Sequence, residues 1–448
     1  MSSFTPHTQA EIDSMLTFLG LDSFDQLYAS IPDAVALRRD LQLPKALSEF
    51  EVIDVMADYA AMNHPSNRDL VCFAGGGSYD HDIASVTSSI GSRSEFVTAY
   101  TPYQPEVAQG VLQGLFEFQS MVSRISGLGI SNASLYDGAS ALVEAINLGC
   151  VKTKRSRVVI SGGINPNWRE VAETFAKGPG HEIEIAPIGP DGATIWPTNL
   201  DGVALLVVGY PNFLGFVEDL EAVRGLASSA GALMVVAYDP IAISLLRSPG
   251  SYGADIAIAE GQPLGIPLSF GGPYLGLFSV SNELVRFLPG RLVGETLDMN
   301  GKRAYVTTLR AREQDIRREK ASSNVCTNQT LMAIWAAIQL TWLGKSGFLD
   351  VGRSCLSSRV YLERRLVSEG LTTIETRLPS FREFPVRLKK RASTVIDEMH
   401  PLGFLAGVAL EGSLAIDNFE GDLLIALTEK RTRTEIDRYV GALVEVIR

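Results

Sequence analysis

Residues 231–276, GALMVVAYDPIAISLLRSPGSYGADIAIAEGQPLGIPLSFGGPYLG, decide the fold. An apolar, branched run from Leu233 to Tyr238 ends in an acid, Asp239. A second run, Asp255 to Ala259, ends in Glu260-Gly261-Gln262-Pro263, and a Gly-rich turn leads into a third. Short runs of this kind bounded by Gly and Pro read as strands buried on both faces. Outward from this stretch, VVIS, EIEIAPI, ALLVVGY and YLGLFSV repeat the pattern, and Glu218 to Ser229 between two of them reads as a helix. The alternation predicts an α/β fold with a mostly parallel sheet covered on both sides. Ligands of such sheets lie beyond the carboxyl ends of the strands. Asp239, Tyr210-Pro211-Asn212 and Glu260-Gly261-Gln262 all fall at those ends.

The chain has 448 residues, enough for a large α/β domain and a smaller one. A net charge of -12 argues against nucleic acid or an anionic membrane as the main partner. Cys72, Cys150, Cys326 and Cys355 form no CxxC pair, which fits structural thiols in a reducing, cytoplasmic setting. The N-terminus carries no secretion signal, and no apolar run is long enough to span a bilayer. His7, His64, His81, His181 and His400 lack metal-ligand spacing, so no metal site is expected; His81 reads as a local hydrogen-bonding residue.

Three regions are expected: an N-terminal helical segment, 1–70; a large α/β domain, 71–330; and a bridging helix with a small α+β domain, 331–448. In the first, Ala10 to Phe18 is periodic, and Ser48 with Glu51 has capping-box spacing. In the last, Asn328 to Gly344, Val351 to Glu369 and Glu435 to Val446 read as helices, with TTIET (372–376), FPVRL, GVAL and LLIALT as strands. Pro105 opens a long helix that runs to Gly127.

Of three further stretches, the first two have two readings each and the third has one. Asp137-Gly138-Ala139-Ser140 leads into a helix, where free N–H groups suit a phosphate, or Asp137 simply caps it. Tyr100-Thr101-Pro102-Tyr103-Gln104 is either a packed entry turn or a site loop. Arg310, Arg312, Arg317, Arg318 and Lys320, set among Glu313, Asp315 and Glu319, read as a solvated face.

An acid at the end of one strand, then a second strand and a Gly-rich turn, resembles the layout in which aminotransferase-type enzymes hold pyridoxal phosphate (PLP). There the acid meets the pyridinium nitrogen and a lysine after the next strand binds the cofactor. Here no lysine occurs between Lys177 and Lys302. Specific resemblance then comes from FAGGGSYDH (73–81), SRSEFVTAYTPYQPEVAQGVLQGLFEFQ (92–119), NASLYDGASALVEA (132–145), ADIAIAEGQPLGIPLSFGGPYLG (254–276), PGRLVGET (289–296) and REQDIRREKASSNVCTNQ (312–329). In this order they closely resemble the α-type chains of two-chain glycine decarboxylase, the P-protein of the glycine cleavage system.

That resemblance implies the type I PLP fold and an α2β2 assembly whose β-subunit carries the PLP lysine. Beside the β-type frame LHKTFCIPHGGGGP, the shared IP and GGP set Gln262 at the lysine's position. Asp239 then corresponds to the acid facing the pyridine ring, and Asp137 to Ser140 to an altered phosphate-side turn. The implied reaction is decarboxylation of glycine on PLP with transfer of the aminomethyl group to the lipoyl group of H-protein. This chain would support the β-subunit, close its cleft and help form the approach for the lipoyl arm. Tyr100, Tyr103, Gln104, Tyr136, Asp137 and Asp239 are the cleft candidates, and Arg317, Arg318 and Lys320 the candidates for anion recognition or H-protein docking. The alternatives are a self-contained enzyme using Lys302 or Lys320, and a catalytically silent scaffold outside the glycine system.

Overall fold

The computed structural model of the chain describes all residues except 1–5, 38, 65–68, 322, 324, 326 and 372–377, and the backbone alone of Arg312. The TTIET strand and the Cys326 thiol therefore lie outside the described residues. Two compact units result, Met1–Asn63 and His64–Arg448. In the first, Gln9–Leu19 and Glu49–Ala61 are helices, each opened by a complete capping box, Thr8 with Glu11 and Ser48 with Glu51. Each box satisfies two otherwise orphaned backbone donors, and Gly20 ends the first helix in the left-handed region at φ 70°.

The second unit is built on a seven-stranded sheet. Its spatial order is Ile130–Ser131, Gly276–Val280, Ile256–Glu260, Leu233–Tyr238, Val203–Tyr210, Arg157–Ser161 and Glu182–Ala186. All neighbours pair in parallel except Gly276–Val280, which is antiparallel to both of its own. That reversal follows from the short return after Glu260, which pairs directly with Gly276. A parallel neighbour would need a full crossover.

Strand alternation divides the core between the two faces. Leu206, Val208, Met234 and Val236 pack with Leu112, Leu115 and Phe118 of the Gln109–Ser126 helix. Leu205, Val207, Val235 and Ile258 pack with Leu142, Ala145 and Ile146 of the Gly138–Thr153 helix. All eight residues of Val203–Tyr210 are buried, and each large apolar side chain among them contributes about 1.5–3 kcal/mol. The Leu220–Ala230 helix begins at Asp219, whose carboxylate accepts from the N–H groups of Glu221 and Ala222.

Leu292–Leu297 and Arg303–Thr308 form an antiparallel hairpin absent from the sequence reading. The two helices expected at 328–344 and 351–369 are found within Thr330–Ser368, where they meet at a kink at Gly344, whose φ of 58° and ψ of -173° are not helical. Beyond it, Glu383–Val386, Leu423–Ala426 and Val408–Ala409 make a three-stranded antiparallel sheet. Its core includes Phe73 stacked on Tyr439 at 4.0 Å. Cys72, Cys150 and Cys355 are buried and unbridged. Among the described residues no helix is long and apolar enough to cross a membrane.

Candidate active site and its closed cleft

The crossovers after Arg157–Ser161 and after Val203–Tyr210 leave in opposite directions, which opens a crevice at the carboxyl ends of those strands. A cleft of about 650 Å³, mouth included, lies there, walled by Tyr79, Trp168, Phe213 and Phe381 and reaching Asp239, Glu260 and Arg382. Asp239 caps the turn after its own strand, accepting from the N–H groups of Ile241 and Ala242 at 2.8 and 3.1 Å. Its other oxygen, Oδ2, lies 2.5 Å from Nη2 of Arg382. Arg382 stands at the start of the C-terminal sheet and is only 2% exposed. Its guanidinium lies 3.5 Å from the centre of the Tyr79 ring.

Gln262 is 2% exposed. Its Oε1 accepts from the Tyr79 N–H at 2.9 Å, and its Nε2 donates to the carbonyls of Tyr79 and Ile266 at 3.0 and 2.8 Å. It therefore holds the 73–82 segment rather than facing an open site. Glu260 accepts from the N–H groups of Gly138, Gln262 and Leu275 at 2.9, 2.9 and 3.0 Å. Burial pushes its carboxyl up to about 7, against the pull of those donors. With Asp137 bonded to the N–H of Ser140, the first turn of the Gly138–Thr153 helix meets two carboxylates of the chain itself.

A second layer ties the cleft to the C-terminal sheet. Tyr79 Oη donates to Glu383 at 2.7 Å, and Glu383 also accepts from the Gly76 N–H at 2.7 Å. Burial pushes the Glu383 carboxyl up to about 7. His81 bonds Arg382 through Nε2 and Glu429 through Nδ1, the latter at 2.7 Å. Arg382 can only donate, so Nε2 accepts and Nδ1–H points at Glu429. Although burial opposes it, the His81 bond and the Asp82 N–H hold the Glu429 carboxyl down at about 2.

Nδ1 of His81, Sγ of Cys355 and Glu429 lie within 4.8 Å of one another, close enough to surround a cation. A metal on Nδ1 would leave an N–H on Nε2 facing the guanidinium, donor against donor. Metal-bound imidazole instead needs an acceptor at that position. The trio reads better as a hydrogen-bonded brace.

Asp239, Gln262 and Asp137 thus belong to one neighbourhood. Tyr103 belongs to another, half exposed and lining a second cleft with Pro102, Thr307, Arg310 and Asp315. Arg291, 7% exposed, lies 5.3 Å from the Tyr103 ring centre. Tyr100, Gln104 and Tyr136 are exposed, as are Arg317, Arg318 and Lys320 on short helical turns. Sequence reasoning named none of Arg382, Tyr79, Glu260 and Arg291 as a cleft candidate, although Glu260 was placed at a strand's carboxyl end and Tyr79 and Arg291 lie inside the quoted FAGGGSYDH and PGRLVGET; Arg382 carried no signal.

The residues present do not fit PLP. A buried glutamine, not a lysine, follows the Ile256–Glu260 strand, Arg382 pairs with the acid that ends Leu233–Tyr238, and Glu260 occupies the start of the Gly138–Thr153 helix, where a phosphate would need free N–H groups. The fold is nevertheless that of type I, aminotransferase-like PLP-dependent enzymes. The chain aligns with a cysteine desulfurase from Thermococcus onnurineus NA1 at a TM-score of 0.62, covering 87% of this chain and 98% of that one. At 13% identity that likeness speaks for the fold alone.

The model of the family described as "Glycine cleavage system P-protein" matches residues 2–443, and the chain belongs to that family. It is 43% identical over 445 residues to a "Probable glycine dehydrogenase (decarboxylating) subunit 1" of Desulforamulus reducens, covering 98% of this chain and 99% of that protein. It is 45% identical over 444 residues to the protein of the same description from Prosthecochloris aestuarii, with the same coverages. A crystal structure of glycine decarboxylase (P-protein) of the glycine cleavage system, in inhibitor-bound form, aligns at 39% identity and a TM-score of 0.90, covering 99% of this chain and all of that one.

Proposed function

We propose that this chain is the lysine-less α-subunit of glycine decarboxylase, active only with a β-subunit that carries the PLP lysine. The assembled α2β2 enzyme decarboxylates glycine, releases CO2 and passes the aminomethyl group to the lipoyl group of H-protein. The observation that carries this reading is Gln262, buried at the lysine's place and bonded to backbone on both sides of its amide. Such a residue has no role as a nucleophile, so cofactor chemistry falls to a partner. The full-length match to chains described as subunit 1 supports the same division of labour.

The exposed loop with Tyr100, Tyr103 and Gln104, together with Tyr136, is this chain's offering to the partner's cleft. The Tyr103 ring is backed by the buried Arg291, which gives an otherwise exposed aromatic a fixed pose. Arg317, Arg318 and Lys320 present fixed positive charge in a chain of net charge -12, as docking an acidic carrier protein requires. The deciding experiment is glycine–bicarbonate exchange and visible absorption of the chain alone, then mixed with its β-subunit, PLP and H-protein. A colourless, inactive chain that supports full exchange only in the mixture is expected. Exchange by the chain alone would end the proposal.

A further inference from the structure

We infer that Arg382 is a clamp built into the chain: from the wall of the cleft its guanidinium pins the C-terminal sheet to the ends of the central strands. A guanidinium with almost no exposure is costly to bury unless its charge is answered on several sides. Here it is. Asp239 answers from the central sheet at 2.5 Å, the Tyr79 ring covers one face at 3.5 Å, and His81 accepts from Nη1. Of its nitrogens, only Nε has no hydrogen-bond partner.

The contacts join three separate parts of the chain. Asp239 and Gln262 belong to the central sheet and its loop, and Tyr79 and His81 to the 73–82 segment. Arg382, Glu383 and Glu429 belong to the C-terminal sheet and the turn after it. Moving that sheet away would separate the Arg382–Asp239 pair and unstack Tyr79. It would also release the Gly76 and Asp82 N–H groups from Glu383 and Glu429. Separating one buried partner from the other is among the more costly changes a fold can undergo.

A cleft that admits and releases substrate needs an element of low local stability to open. The walls of this cleft are tied to one another by their own side chains, so the chain offers an assembly a fixed half rather than one that opens and closes. Arg382 acts through Asp239 and Tyr79 and is a positioning residue.

The test is amide hydrogen exchange on the purified full-length chain, read at Gly76, Tyr79 and Asp82, with the Val203–Tyr210 strand as the control for folding. In Arg382→Ala, exchange at the three amides is expected to rise by about ten-fold or more while the strand stays protected. Methylguanidinium should restore the protection, because it reproduces the planar fork and stacking face, whereas methylammonium should not. Should that variant fail to fold, Asp239→Asn keeps the shape, removes the charge and is expected to loosen the same amides. Unchanged exchange in the variant that folds would overturn the inference. So would a loss of protection in Arg382→Ala that neither cation repairs, or that both repair equally.

Discussion

Replacing Gln262 by lysine supplies the residue on whose absence the proposed role rests, and the structure predicts that no cofactor binding will come with it. The glutamine amide both accepts, from the Tyr79 N–H at 2.9 Å, and donates, to the Tyr79 and Ile266 carbonyls at 3.0 and 2.8 Å. An ammonium can keep the two donations but cannot accept. The Tyr79 N–H is then left without its partner, at a cost of about 1–3 kcal/mol. Desolvation of the new charge in this buried place adds to this. The total expected loss is on the order of 2–5 kcal/mol. Asp239 remains held by Arg382 and the helix start by Glu260, so neither the ring nor the phosphate of PLP gains a seat. Urea unfolding of both proteins at pH 7 measures the loss. Incubation with PLP, borohydride reduction and peptide mass analysis looks for a cofactor fixed at position 262. A reducible adduct there, or a variant as stable as the parent, would refute the reasoning.

Other expectations rest on single features. Burial lifts the Glu144 carboxyl from 4.5 to about 7, against its bonds to Ser323 and Asn147. The native state therefore holds that proton more tightly than the unfolded chain, and its stabilising effect, complete below pH 4.5, fades as pH rises to about 7, by about 3 kcal/mol. Glu144→Gln should flatten the fall of melting temperature between pH 4.5 and 7, and an unchanged slope would count against it. Gly215 has φ 85°, and a Cβ there would run into the Glu383 carbonyl, so Gly215→Ala should lower stability by roughly 3 kcal/mol or more in a urea titration. In the assembled enzyme, Tyr103→Phe should slow decarboxylation and Arg317→Ala should raise the H-protein concentration needed for half-maximal rate. Unchanged kinetics would remove either residue from the site.

What was legible in the sequence was whatever depends on local pattern. The buried strands announced themselves because Val203–Tyr210 and Leu233–Tyr238 have almost no polar residue to spare, and one of the two capping boxes because Ser48 and Glu51 stand three residues apart. The Leu292–Leu297 and Arg303–Thr308 hairpin stayed hidden because LVGETL and RAYVTT alternate too weakly, and the outer half of Leu292–Leu297 is exposed. The missing lysine was also plain, since absence over a defined interval is a local fact. What Asp239 meets was not. Arg382 meets Asp239 only after the long Thr330–Ser368 helix has carried the chain to the C-terminal sheet, and no spacing rule links positions so far apart. The acid at the strand end therefore looked like half of a cofactor site. In the fold it is one end of an ion pair, and that difference separates a site that lacks a part from one whose acid already has a partner. If Asp239 merely lingered from a cofactor site, its charge could be removed without consequence. Paired as it is with a buried guanidinium, its loss would strand that charge at a cost of about 3–5 kcal/mol.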